Sequence, residues 1–167
     1  MVIDPARRTR PHDGLQDRRQ SAAAFDIYRG VARLLRAHGF AAIAEVGLAN
    51  GRRADVAGVS ESGEIWVVEI KSCLEDFRAD HKWPDYREYC DRLFFAVGPA
   101  FPREVLPQDA GLIIADRYGG EIVREAPEHK LAGARRKAMT LRLVRTAGLR
   151  LQAMIDPEMG FERLPGA

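Results

Sequence analysis

The chain has 167 residues, 46% of them hydrophobic and 30% charged, with a formal net charge of +2. That length and mix give one globular domain with enough apolar surface for a core, and exclude a wholly disordered chain. No apolar run approaches the roughly 18 residues that cross a bilayer, and Cys73 and Cys90 are too few for a disulfide framework, so the expectation is a soluble, cytoplasmic protein with reduced thiols and no membrane partner.

The near-neutral total conceals three segments. Residues 1–36 sum to +4, residues 37–116 to −6 and residues 117–167 to +4. Of the 26 cations 22 are arginine, whose planar fork suits phosphate, although a GC-rich genome gives the same enrichment.

Residues 1–20 hold five arginines, three aspartates, Pro5, Pro11 and Gly14, with no apolar h-region. They read as a flexible basic arm rather than a secretory signal. The domain proper is expected over 21–156, with a tail at 157–167. Ser21 is placed to cap a helix over 21–38, whose apolar face is Ala24, Ile27, Val31, Leu34 and Leu35, with Gly39 at its stop position.

Three strands follow, Phe40–Leu48, Arg53–Ser60 and Glu64–Lys71, punctuated by Asn50-Gly51 and Glu61-Ser62-Gly63. Residues 75–91 are polar, with helical character broken at Pro84. Strands at Arg92–Val97, Gly111–Ala115 and Glu121–Arg124 come next. A helix over about 132–155 closes the domain, with Ala134, Ala138, Leu141, Val144, Leu151 and Ile155 as its expected buried stripe. A strand meander followed by alternating strands and helices predicts an α/β domain, a mixed sheet flanked by helices.

Within Ile65–Lys71, period-2 alternation puts Glu69 and Lys71 on one face with Val67, and Trp66, Val68 and Ile70 on the other. An acid and a lysine at the end of an apolar strand call for a polar site there. If Glu61-Ser62-Gly63 is a three-residue hairpin loop, Ser60 faces Glu64 and Asp55 lies directly opposite Glu69. Facing carboxylates raise each other's pKa, and a divalent cation between them relieves the repulsion. Oxygen-only ligands suit Mg²⁺ or Mn²⁺, which would bind a phosphodiester oxygen and acidify a water. Lys71 would orient that water or stabilise the transition-state charge, and Glu45 on the preceding strand is a candidate third acid. The competing explanation is an edge-strand ion-pair cluster with no chemistry.

A helix, three meandering strands, Asp55 on the second and Glu69-Ile70-Lys71 on the third resemble the PD-(D/E)XK nuclease superfamily, with Ala54 where the motif has proline. More narrowly, GRRADVAGV (51–59), EIKSCLEDFRADHKWPDYREYCDRLFFAVG (69–98), GLIIADRYGGEIVRE (111–125) and KLAGARRKAMTLRLVR (130–145) resemble the MmcB family of bacterial DNA-repair endonucleases. The resemblance implies a restriction-endonuclease-like core (αβββαβ) and metal-dependent hydrolysis of damaged or branched DNA, near the nucleoid. It also implies Asp55, Glu69 and the Ile70 carbonyl as metal ligands and Lys71 as the catalytic lysine. Asp26 on the first helix is an alternative to Glu45. A catalytically inactive DNA-binding module on the same fold is the alternative function, and a second copy or other repair proteins are candidate partners.

Further DNA contacts are expected from Lys82 and Arg87 on phosphate, from Tyr86 or Trp83 against a base or sugar, and from Arg135, Arg136 and Lys137 on the last helix. Cys90 precedes an apolar strand and reads as core.

Overall fold

The computed structural model describes residues 22–80 and 82–159. The basic arm and Ser21 lie outside them, as does the tail beyond residue 159. Helix α1 (Ala22–Ala37) leads into β1 (Phe40–Gly47), β2 (Arg53–Ser60) and β3 (Ile65–Lys71). Helix α2 (Leu74–Ala79) and a 3₁₀ segment (Trp83–Tyr89) carry the chain to β4 (Arg92–Val97). Strands β5 (Gly111–Ala115) and β6 (Gly120–Arg124) and the long helix α3 (Gly133–Ile155) complete it. No helix among the described residues is long and apolar enough to cross a membrane.

The six strands form one sheet in sequence order. β1, β2 and β3 run antiparallel, β3, β4 and β5 are parallel, and β6 returns antiparallel. The expected mixed α/β sheet is therefore present, and nearly every expected strand ends within a residue or two of its predicted bounds. The β2–β3 hairpin has the anticipated loop. Ser60 donates its N–H to the Glu64 carbonyl at 2.9 Å, and Val56 faces Val68. Gly63 sets that register, because its φ of +82° closes a three-residue loop that side chains with a Cβ rarely fit.

Two layers cover the sheet. On one face Ile27, Val31, Leu34 and Leu35 of α1 pack on Val56, Trp66, Val68, Ile70, Phe94 and Ile113. Gly30 brings α1 close to the β5–β6 turn, where a Cβ would sit 2.3 Å from the Asp116 carbonyl oxygen. On the other face α3 and the 3₁₀ segment cover Ala57, Ile65, Val67 and Leu93 with Met139, Leu143 and Tyr86. Every residue of β3 is buried, and its two faces divide as alternation predicted.

Two expectations about helices need correction. α3 does not bury the expected stripe: Ala134 and Ala138 are exposed, and so are the larger Leu141, Val144, Leu151 and Ile155. It turns Met139 and Leu143 inward and leaves those four between 54% and 76% exposed. Hydrophobicity alone could not choose between two apolar faces of one helix. Around Pro84 the helix breaks before the proline, after Ala79, and Pro84 falls in the first turn of the 3₁₀ segment that Trp83 begins, where its missing N–H costs nothing. Cys90 is buried as expected, and burial pushes its thiol up to about 12.

Candidate active site

The β2–β3 backbone ladder stops at Val56 and Val68. Beyond it, two carboxylates bridge the strands. Asp55 Oδ2 accepts the Ile70 N–H at 2.8 Å, and Glu69 Oε1 accepts the Asp55 N–H at 3.2 Å. Among the described residues, the second oxygen of each carboxylate has no hydrogen-bond partner. The same register that pairs Val56 with Val68 brings Asp55 opposite Glu69, as the hairpin loop predicted.

Glu69 is 3% exposed. Burial, and then the neighbouring Asp55 charge, push its carboxyl well above the usual range. Burial also raises Asp55, against the opposing pull of the Ile70 N–H and the Lys71 and Arg53 cations. Both acids thus resist ionising together while no cation is between them.

Lys71 projects from the same face of β3, 7% exposed. Its ammonium donates to Asp80 Oδ2 at 2.5 Å. The Asp80 Oδ1 atom accepts the Lys82 N–H at 3.0 Å. Burial works against the Asp80 charge, yet the Lys71 ammonium and the Lys82 N–H outweigh it and hold that carboxyl below its ordinary value. Asp80 escaped the sequence reading because it reaches Lys71 only when the chain doubles back after α2, a return that no periodicity encodes.

Glu45 does not join this pair in a three-acid set. It sits at φ +50°, where the β1–β2 pairing passes from Ala44–Val56 to Val46–Ala54, and its carboxylate lies 3.3 Å from the Arg53 guanidinium. Arg150 of α3 donates to the Ala44 and Glu45 carbonyls and holds this irregular point. Among the described residues no three or more His, Cys, Asp or Glu side chains are arranged to hold a metal. Asp26 lines a separate cavity of about 410 Å³ at the ends of β3, β4 and β5, together with Ser72 and Asp116.

The expected DNA-contact residues divide. Lys82 and Lys137 are exposed, and no described residue pairs with either side chain. Arg135 is exposed but pairs with Glu88 at 2.8 Å, and Arg87 pairs with Asp109 at 2.7 Å while lying over the Trp83 ring. Tyr86 is buried, which takes its ring off any DNA-facing surface. Its hydroxyl donates to the Arg53 carbonyl at 3.2 Å, and burial together with the Glu69, Asp55 and Asp80 charges raises it. Arg136 is half-buried and engaged by the fold itself. It forms a two-pronged pair with buried Asp91 at 2.7 Å and donates to the Gly63 carbonyl at 2.6 Å. Asp91 also accepts the Ile65 and Leu131 N–H groups, so it ties the hairpin, β4 and the start of α3 together.

SPO1766, a protein of unknown function from Silicibacter pomeroyi, has a similar solved structure at 52% identity with a TM-score of 0.82, over 86% of this chain and 99% of that one. No curated protein matches the chain. The family described as DNA repair protein MmcB-like matches residues 11–158. With nearly the whole described domain inside that match, the chain belongs to the MmcB-like DNA repair protein family.

Proposed function

We propose that the protein is a metal-dependent deoxyribonuclease of the PD-(D/E)XK type, hydrolysing phosphodiester bonds in damaged or branched DNA. The observation that carries this is the crossed clamp of Asp55 and Glu69, with Lys71 beside it on the same face.

The residues fit a hard divalent cation. Two carboxylates are held side by side, burial raises both and the Asp55 charge raises Glu69 further, and each keeps one oxygen without a partner among the described residues. Mg²⁺ is commonly held by only one or two carboxylates, with water and substrate phosphate filling the octahedron, and Mn²⁺ accepts similar oxygen ligands. Asp55 and Glu69 would hold the ion, with the Ile70 carbonyl as a candidate third ligand. A cation there would supply Lewis acidity to a phosphate oxygen and a more acidic water.

The chain's own residues do the rest. The two backbone N–H groups fix the carboxylates, so little reorganisation is needed when DNA arrives. Lys71 places positive charge where the phosphorane develops its negative charge. Asp80 holds that ammonium at the site. Lys82, exposed beside Asp80, is positioned for the DNA backbone.

Calorimetric titration of Mn²⁺ tests the metal half of this proposal. One ion per chain is expected, with binding lost in Asp55→Ala. Equal binding by that variant would remove the site from consideration.

A further inference from the structure

Among the described residues, the face of α3 opposite its buried residues is apolar and has no partner. Leu141, Val144, Gly148, Leu151 and Ile155 follow 3- and 4-residue spacing, the pattern of a helix that packs against another helix. Leu141 is 54%, Val144 63%, Leu151 57% and Ile155 76% exposed. A helix apolar on both sides buries both in its working state.

Gly148 is the second observation. It lies seven residues from Leu141 and seven from Ile155, midway along the stripe. Glycine is the poorest helix former after proline, and a Cβ built at Gly148 would meet nothing within 4 Å. No packing among the described residues requires glycine there. A second helix crossing at that point would, because small residues let two backbones approach.

Charge selects the occupant. α3 carries Arg135, Arg136, Lys137, Arg142, Arg145 and Arg150 and no acid, while Asp156 and Glu158 lie just past its C-terminal end. A copy of the same helix, antiparallel and centred on Gly148, brings Leu141 against Ile155 of the second copy. It also brings the end of α3 that carries Lys137 towards the acidic turn of Asp156 and Glu158 that follows the second copy's helix. The side chains of Lys137 and Glu158 are unpaired among the described residues. The two Arg145 side chains sit on the rim, offset by about 9 Å along the axis. The basic arm of residues 1–20 offers no such match to a basic helix.

We infer that α3 is the two-fold interface of a homodimer, built on Leu141, Val144, Gly148, Leu151 and Ile155 with Lys137–Glu158 pairs at its ends. Such an interface is isologous, one patch meeting itself. It needs no metal and no DNA, so it stands or fails apart from the nuclease proposal.

Sedimentation equilibrium of the full chain tests it. Wild type is expected to dimerise, and Leu141→Glu with Ile155→Glu to weaken association by roughly 100-fold or more while keeping its circular dichroism. Lys137→Glu is expected to weaken it about threefold to tenfold, and adding Glu158→Lys to restore it. In a Cys73→Ser background, Gly148→Cys is expected to give a covalent dimer with a short bismaleimide, and Tyr118→Cys on the far turn is not. Wild type that stays monomeric at 100 µM, about the upper end of working concentrations, overturns the inference. So does a dimer that survives the double glutamate change, or equal cross-linking at Tyr118→Cys.

Discussion

Asp55 and Glu69 are fastened to each other's strands: the Asp55 carboxylate accepts the Ile70 N–H at 2.8 Å, and the Glu69 carboxylate accepts the Asp55 N–H at 3.2 Å. Two acids that repel are thereby held at close range by main-chain donors. The arrangement costs stability while both are charged and no cation lies between them, which is the usual trade at a prepared site.

That cost has a pH signature. Folded Glu69 keeps its proton to higher pH than the unfolded chain does, because burial and Asp55 raise it. Between the two pKa values the folded state binds more protons, so stability falls as pH rises through that window and stays lowered above it. Glu69→Gln is expected to raise Tm at pH 8 by about 2–4 °C, to flatten the decline above the ordinary carboxylate range, and to abolish the Tm gain from Mn²⁺. Calorimetric melts with and without Mn²⁺ check this; a variant less stable than wild type at pH 8 contradicts it.

Asp80 acts through Lys71. Asp80→Asn is expected to lower kcat for DNA cleavage about 10- to 100-fold, as loss of a supporting partner commonly does. KM should change little, because Asp80 itself meets no phosphate. Steady-state kinetics separate the two parameters, and a change confined to KM would assign Asp80 to DNA binding instead.

Arg136 is expected to behave as a structural residue. Arg136→Ala leaves buried Asp91 without its guanidinium. It should cost about 2–3 kcal/mol, below the 3–5 of a wholly buried pair because the Arg136 side chain is 27% exposed. Burial opposes the Asp91 charge, but Arg136 and two backbone donors hold its carboxyl low. The stability this gives is present above the unfolded pKa and lost as pH falls through the folded one. Urea melts of the variant should therefore show a shallower loss of stability below pH 4, the ordinary carboxylate range.

Lys82 is expected to do what Arg136 does not. Lys82→Ala should leave Tm unchanged, weaken DNA binding, and reduce the slope of log affinity against log salt by about one. Fluorescence anisotropy at several salt concentrations reads this directly, and an unchanged slope would take Lys82 off the phosphate path.

The core of the site was legible because its signals are local. Alternation placed Glu69 and Lys71 on one face of β3, and a three-residue loop ending in Gly63 fixed Asp55 opposite Glu69. What was not legible depends on contacts distant in sequence. Arg136 looked like part of a basic surface run until Asp91, 45 residues earlier, turned out to hold it. Tyr86 looked like a stacking aromatic, and only the fold shows it buried beneath Asp55 and Glu69. Glu45 was on the right strand, but the irregular backbone there joins it to Arg53. The choice of buried face on α3 was equally beyond pattern, since both its faces are apolar.

The most direct test is cleavage of nicked, branched, flapped and crosslinked DNA by the purified chain in Mn²⁺, beside its Asp55→Ala and Lys71→Ala variants and an EDTA control. The proposed mechanism predicts metal-dependent cutting of at least one substrate by wild type, and none by either variant although both remain folded. Undiminished cutting by Lys71→Ala, or no cutting of any substrate by wild type, would contradict it. DNA binding that persists in the second case would favour a non-catalytic module on the same fold.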